Sequence, residues 1–440
     1  MTTTRWANVR RRVVPAAVLA CLPALVSAPS PAQEVQRPRP PKTVEQGAWW
    51  FDAMRLGAAH EQATGKGATI ALIDSALDTS VPELQGADIR LRLDCNGNRA
   101  RPLTGPGASH GTAQAALLVG NGRGNAPGGE GVRGIAPDAT VLAYDNDLEP
   151  GTDHIECPAE GFRRMFRDAV RQGADVISVA STLGADVFPV VTEAVSSGVV
   201  VVAAAGADDV AGHVYPADAV GVVSVNAVDE GAQPWKHNRN TGSPVISAPG
   251  VFVGSGGISE RGWSSLGWGT GTSAATSITS GALALVESRY PDATGNQLIQ
   301  HLIHYTGGEG GYYWDEDYGF GIVSVTRMLQ TSPTQWPDEN PLGKKIPDAV
   351  DRYPMSASSL VEDEPVAGEP AAGEPAASAG TAGPIGTGSW VWVAAGLALL
   401  VAAGGVALAA RRRRAAEGEV GPAAADEHET VGVGNERRGA

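Results

Sequence analysis

Apolar residues recur along the chain in two periodicities, and the alternation between them lays out a fold. Five short runs are almost continuously apolar: GATIALID (67–74), ATVLAYD (139–145), ADVISVA (174–180), GVVVVAAAG (198–206) and VGVVSVNAV (220–228). A strand covered on one face alternates apolar with polar residues, so unbroken runs of this kind predict parallel strands buried on both faces. Between them lie candidate helices: HGTAQAALLVG (110–120), AEGFRRMFRDAVRQG (159–173), VFPVVTEAVSSG (187–198) and TSAATSITSGALALVESRY (272–290). Strands alternating with helices predict an open, mostly parallel α/β sheet with helices on both faces and right-handed crossovers. In such a sheet the chemistry gathers at the carboxyl ends of the strands.

The two ends of the chain do not follow this pattern. Residues 1–32 have an arginine-rich start, an apolar run and small residues around 28–32, as a secretory signal does. Residues 33–65 form an extension that opens on the Pro-rich VQRPRPPKTV, and 66–330 is the folded domain. Residues 331–389 hold Glu-Pro repeats and small residues that cannot build a core and suit an extended stalk. The uncharged stretch WVWVAAGLALLVAAGGVALAA (390–410) would span about 31 Å as a helix, enough to cross a bilayer once. Four arginines follow at once, so 411–440 is expected to be a cytoplasmic tail. The expectation is a cell-membrane protein with one transmembrane helix and its folded domain outside.

Composition changes this picture in two places. Cys21 leaves with the signal, so the exported part keeps Cys95 and Cys157. In an oxidising compartment these are read first as one disulfide, with two unpaired surface thiols as the alternative. The formal charge of −15 argues against a nucleic-acid partner and otherwise speaks only to solubility.

Three junctions carry reactive residues: Asp74 ends the first strand run, His110 opens a helix in SHGT, and Ser273 opens another in GTGTSAATS. Each alone has a plainer reading, as a turn cap, a helix cap or one serine among many. Together they supply a nucleophile, an imidazole to take its proton and a carboxylate to fix the tautomer of that imidazole.

With these residues in this order, the chain resembles the subtilisin-like serine proteases, whose triad runs Asp, His, Ser along the sequence. The resemblance also includes GVRGIAPDATVLAYD, VVVAAAG, YPA, SAPG and the closing YGFGIVSV. Together with AWWFDAMRLGAAHEQATGKG and the order of signal, linker, stalk, span and basic stop, it narrows to the mycosins, membrane-anchored proteases of type VII secretion systems. The resemblance implies a serine endopeptidase acting on protein or peptide substrates, placed beside a membrane-embedded secretion machinery and contributing to its assembly. It implies neither metal nor cofactor. It also implies a short N-terminal extension that wraps the domain, in place of an independently folded inhibitory propeptide.

The departures from the family pattern carry information of their own. The residue after VVVAAAG is an asparagine in subtilases, and its amide donates to the oxyanion; here it is Ala207. An ionised Asp208 or Asp209 would repel the developing charge. Ser277 replaces the proline usual after the nucleophile, and ISVASTLG replaces the usual substrate-binding strand. Elsewhere, His301 and His304 share a helix face and read as surface histidines, and His213 reads as loop. GNGRGNAPGGEG reads as a flexible loop, since it lacks the Gly-Lys-Ser/Thr of a phosphate loop.

Overall fold

The computed structural model describes residues 38–147, 157–207, 213–239, 244–307 and 314–343. The expected signal (1–32), transmembrane helix (390–410) and tail (411–440) lie outside the described residues. Among the described residues no helix is long and apolar enough to cross a membrane.

The apolar runs form the middle of a sheet that has nine strands among the described residues. In chain order these are β1 (Thr69–Asp74), β2 (Ile89–Asp94), β3 (Thr140–Asp145), β4 (Val176–Val179), β5 (Val200–Ala204), β6 (Val223–Val228), β7 (Ile246–Pro249), β8 (Thr306–Gly307) and β9 (Ile322–Val323). Their spatial order is β8-β9-β7-β6-β5-β4-β1-β3-β2, parallel except for β8 on β9. The order reverses around β1. From there the chain runs out to the β2 edge, returns through β3 and crosses to β4 on the other flank.

The register of β1 with β3 runs from Thr69↔Thr140 to Asp74↔Asp145, so two carboxylates end neighbouring strands side by side. Sidedness follows the period of two. Ile70, Leu72, Val200 and Val202 join the core on one face, under helices α1 (Ser109–Val119) and α4 (Thr272–Arg289). Ala71, Ile73, Val201 and Ala203 join the core on the other, under α2 (Ala159–Arg171) and α3 (Phe188–Ser196).

Helix α4 is buried from Thr272 to Val286 although its sequence is rich in Ser and Thr. The hydroxyls of Thr276, Thr279 and Ser280 donate to the carbonyls of Thr272, Ala275 and Thr276 at 2.8, 2.8 and 2.9 Å, so burial leaves them satisfied. A Cβ at Gly281 would meet Ile135 Cγ2 at 1.8 Å, so only glycine permits this close seating of the helix.

Both flanks of the domain are packed rather than trailing. Three short helices at Val44–Gly47, Trp49–Ala53 and Leu56–His60 bury Trp50, Phe51 and Leu56 in the main core, and Trp49 Nε1 donates to the Phe252 carbonyl. At the other end the packing continues past the expected limit of 330. Residues 331–343 lie on α5 (Gly295–His304), where Gln297 and Gln300 donate to the carbonyls of Trp336, Pro337 and Glu339, and Leu342 is buried. The Glu-Pro composition that argued for a stalk begins only near 361, and the anchors Pro333, Trp336 and Leu342 precede it.

Cys95, just past β2, is bonded to Cys157, just before α2. The glycine-rich stretch 120–131 is tighter than a flexible loop: Asn121–Arg123 pairs antiparallel with Glu130–Arg133. Its glycines serve close approach, since a Cβ at Gly124 would sit 2.2 Å from Ser265 Oγ.

Candidate active site

Asp74 is delivered by the end of β1 and is almost wholly buried. His110 is the second residue of α1, and its Nδ1 lies 2.7 Å from Asp74 Oδ1. The same carboxylate oxygen accepts the Ser75 backbone N–H at 2.7 Å. A carboxylate can only accept, so Nδ1 carries the hydrogen and the neutral ring keeps its lone pair on Nε2.

The residues after His110 explain how helix and strand meet. A Cβ at Gly111 would lie 2.2 Å from the Ser75 carbonyl, and the Gly111 N–H donates to Ser75 Oγ at 2.9 Å. Glycine therefore lets the first turn of α1 press against the strand end. Thr112 Oγ1 accepts from Asp78 N–H at 2.8 Å and donates to the Ala108 carbonyl at 2.6 Å, pinning the loop that follows β1.

Ser273 is the second residue of α4, buried at 7 % exposure. The start of α4 is set by β7, after which the Gly250 carbonyl accepts the Gly271 N–H at 2.8 Å. At Gly250 a Cβ would meet Ala227 Cβ at 2.5 Å and the Gly271 carbonyl at 2.6 Å. Helices α1 and α4 are cross-linked one turn beyond His110 and Ser273. There Ser277 Oγ donates to Gln114 Oε1 at 2.8 Å, and Gln114 Nε2 lies 3.4 Å from His110 Nε2. The structure thus joins Asp74 to His110 directly and brings the helix that carries Ser273 to the same imidazole.

Ala207 lies three residues past the end of β5, after a turn at Gly206 with φ +89°. It forms a single antiparallel bridge with Asn238. The carboxamide of Asn238 is paired with Ala227, accepting its N–H at 3.0 Å and donating to its carbonyl at 2.9 Å. Asp208 and Asp209 lie outside the described residues. In the ISVASTLG stretch, Leu183 pairs antiparallel with Tyr215, and Ser181 Oγ accepts from Asn146 Nδ2 at 3.1 Å.

Asp145 escaped the reading of the sequence. Burial, and secondarily the nearby carboxylates of Asp147, Asp94 and Asp74, push it up to about 6. Only the strand register reveals it, since β2, α1 and the hairpin at 121–133 separate it from Asp74 along the chain.

The surface reading of His301 is corrected. Its side chain is fully buried, Nε2 lies 2.7 Å from the Met328 carbonyl, and Nδ1 accepts from Trp336 Nε1 at 3.0 Å. Burial lowers its pKa, in keeping with a neutral ring that is bonded at both nitrogens. His304 stacks on Trp336 at 4.0 Å between centroids. His213 lies in a loop, where its Nδ1 sits 3.3 Å from Asp218 Oδ2. Among the described residues no three His, Cys, Asp or Glu side chains are grouped to hold a metal ion.

With this geometry in hand, comparison with known proteins is specific. Residues 65–321 match the profile of the subtilase family. The thermostable alkaline protease of Halalkalibacterium halodurans is 30% identical over 288 residues, which is 64% of this chain and 73% of that protein. Subtilisin E of Bacillus subtilis is 30% identical over 285 residues, 63% of this chain and 70% of that protein. Among solved structures, MycP1 from the ESX-1 type VII secretion system aligns with a TM-score of 0.53 at 23% identity, covering 67% of this chain and 88% of that one. At that identity the last likeness is one of fold.

Proposed function

The chain belongs to the subtilase family of serine proteases, and from that premise we propose that it is an extracytoplasmic endopeptidase with Ser273 as nucleophile, His110 as general base and acid, and Asp74 orienting the imidazole. The observation that carries the assignment is the 2.7 Å contact of His110 Nδ1 with Asp74 Oδ1, at the end of a central strand. That bond holds the hydrogen on Nδ1 and leaves Nε2 to take a proton from a serine hydroxyl as it attacks the peptide carbonyl. The proton then passes to the leaving amine, and water repeats the sequence on the acyl-enzyme. Backbone N–H groups in the first turn of α4 are available to the oxyanion.

We infer further that the protein works tethered beside a secretion machinery. The uncharged stretch 390–410 followed by four arginines supports a single membrane anchor, and the fold shared with MycP1 of a type VII system supports that setting.

One observation favours a second reading, in which the domain is mainly a scaffold that stabilises a secretion complex. The family resemblance assigns the oxyanion donor to the position of Ala207, and Asn238, which bridges to it, hydrogen-bonds Ala227 through its amide. A serine-reactive fluorophosphonate probe applied to the full chain and to Ser273→Ala separates the two. Labelling of the parent that the substitution abolishes is the expected result. An unlabelled parent with a normal melting transition would leave the scaffold.

A further inference from the structure

One departure from the family pattern meets a second buried polar side chain in space. Ser277, where subtilases carry proline, lies one turn beyond Ser273 on α4, and Gln114 lies one turn beyond His110 on α1. Both side chains are buried, Ser277 completely and Gln114 at 4 % exposure. The hydroxyl of Ser277 donates to Gln114 Oε1 at 2.8 Å, which turns the NH₂ edge of the amide toward His110 Nε2 at 3.4 Å. Because Nδ1 gives its hydrogen to Asp74, Nε2 presents a lone pair, and the amide is the matching donor.

We propose that Gln114, aimed by Ser277, is a positioning residue that holds the resting imidazole by its Nε2 lone pair and so competes with the Ser273 hydroxyl for it. This rests on the assignment of His110 as the base. A base nitrogen has one lone pair in the ring plane, and a second donor on it stabilises the neutral ring and takes a share of the direction that the nucleophile needs. The contact is long, so its effect is that of a weak neutral hydrogen bond. Nothing in the chemistry of peptide cleavage requires an amide there, so it acts as a brake on acylation.

The test uses the full chain, Gln114→Met, which keeps side-chain length and removes the amide, and Ser277→Ala, which leaves the amide unaimed. Both are expected to raise the rate of fluorophosphonate labelling of Ser273 by about two- to tenfold, Gln114→Met more strongly, the span that one weak hydrogen bond covers. With a peptide substrate kcat should rise and KM stay put. In chain labelled with 15N at histidine only, the His110 Nε2 resonance should move in both variants, because one donor to its lone pair is removed or misdirected. Labelling that is unchanged or slower in folded variants would overturn the brake. An Nε2 resonance that does not move would overturn the contact itself. If the parent and both variants are unlabelled while the resonance moves, the amide contact stands and the protease assignment fails, so the two failures remain distinct.

Discussion

Three residues past the end of β5, the chain presents a methyl group at position 207, where our reading puts the oxyanion donor. The turn at Gly206 and the bridge to Asn238 place Ala207 at the carboxyl end of β5, on the same rim of the sheet as Asp74. If the triad is competent, Ala207→Asn supplies a neutral donor and should raise kcat by up to about 10²- to 10³-fold with KM nearly constant, a magnitude taken from subtilisin rather than derived from this chain. Steady-state kinetics on any peptide that the parent cleaves will show it; no gain in a folded, probe-reactive variant would overturn the reading of 207 as the oxyanion position. Where Ala207 falls was legible from sequence, because an apolar strand run followed by glycine fixes the next residue's place near the strand end, whereas its role is what the family resemblance implies. Gln114 was not. Its partner lies 163 residues away, and only the packing of α1 on α4 makes them neighbours.

The long elements could be read from the chain because each buries both faces or one broad stripe, and burial on that scale leaves an unbroken apolar signal. β2 was missed, since IRLRLD is an edge strand with Arg90 and Arg92 paired to Asp88 and Asp168, and its pattern looks amphipathic rather than buried. The apolar and small-residue run of α4 likewise hides a carboxylate. Glu287, in its last turn, is pushed up to about 7 by burial and by the neighbouring Asp175. Its ordinary value is 4.5, so the unfolded chain ionises first, the fold keeps the proton, and stability falls as pH rises from about 4.5 to about 7. Glu287→Gln should therefore raise the melting temperature at pH 8 by a few degrees and leave it unchanged near pH 4, measured by calorimetry. The link from Cys95 to Cys157 closes a loop of 62 residues between β2 and α2. Reducing it should lower stability by about 4 kcal/mol in the chain-entropy view. Both cysteines should resist alkylation until reductant is added, and two thiols alkylated under non-reducing conditions would exclude the link.

For the whole molecule, the topology is tested on cells. Residues 33–389 are expected outside the membrane and 411–440 inside, because the arginines that follow the apolar stretch resist translocation. Protease added to intact, wall-stripped cells should remove the domain and spare a tag fused after Ala440; a protected domain would reverse the orientation. The packed segment 331–343 adds a directional property. It is fastened to α5, whose Gly295 abuts the Gly198 carbonyl ahead of β5, and Asn340 Nδ2 donates to the Gly221 carbonyl ahead of β6. Both lie at the amino ends of parallel strands, whereas Asp74 and Ala207 belong to the carboxyl ends. The packed segment 331–343 and the rim that holds Asp74 therefore occupy opposite poles of the sheet. If the chain after residue 343 is a tether, tension on it enters the body through α5 and the starts of β5 and β6, and the rim that holds Asp74 and Ala207 carries none of it directly.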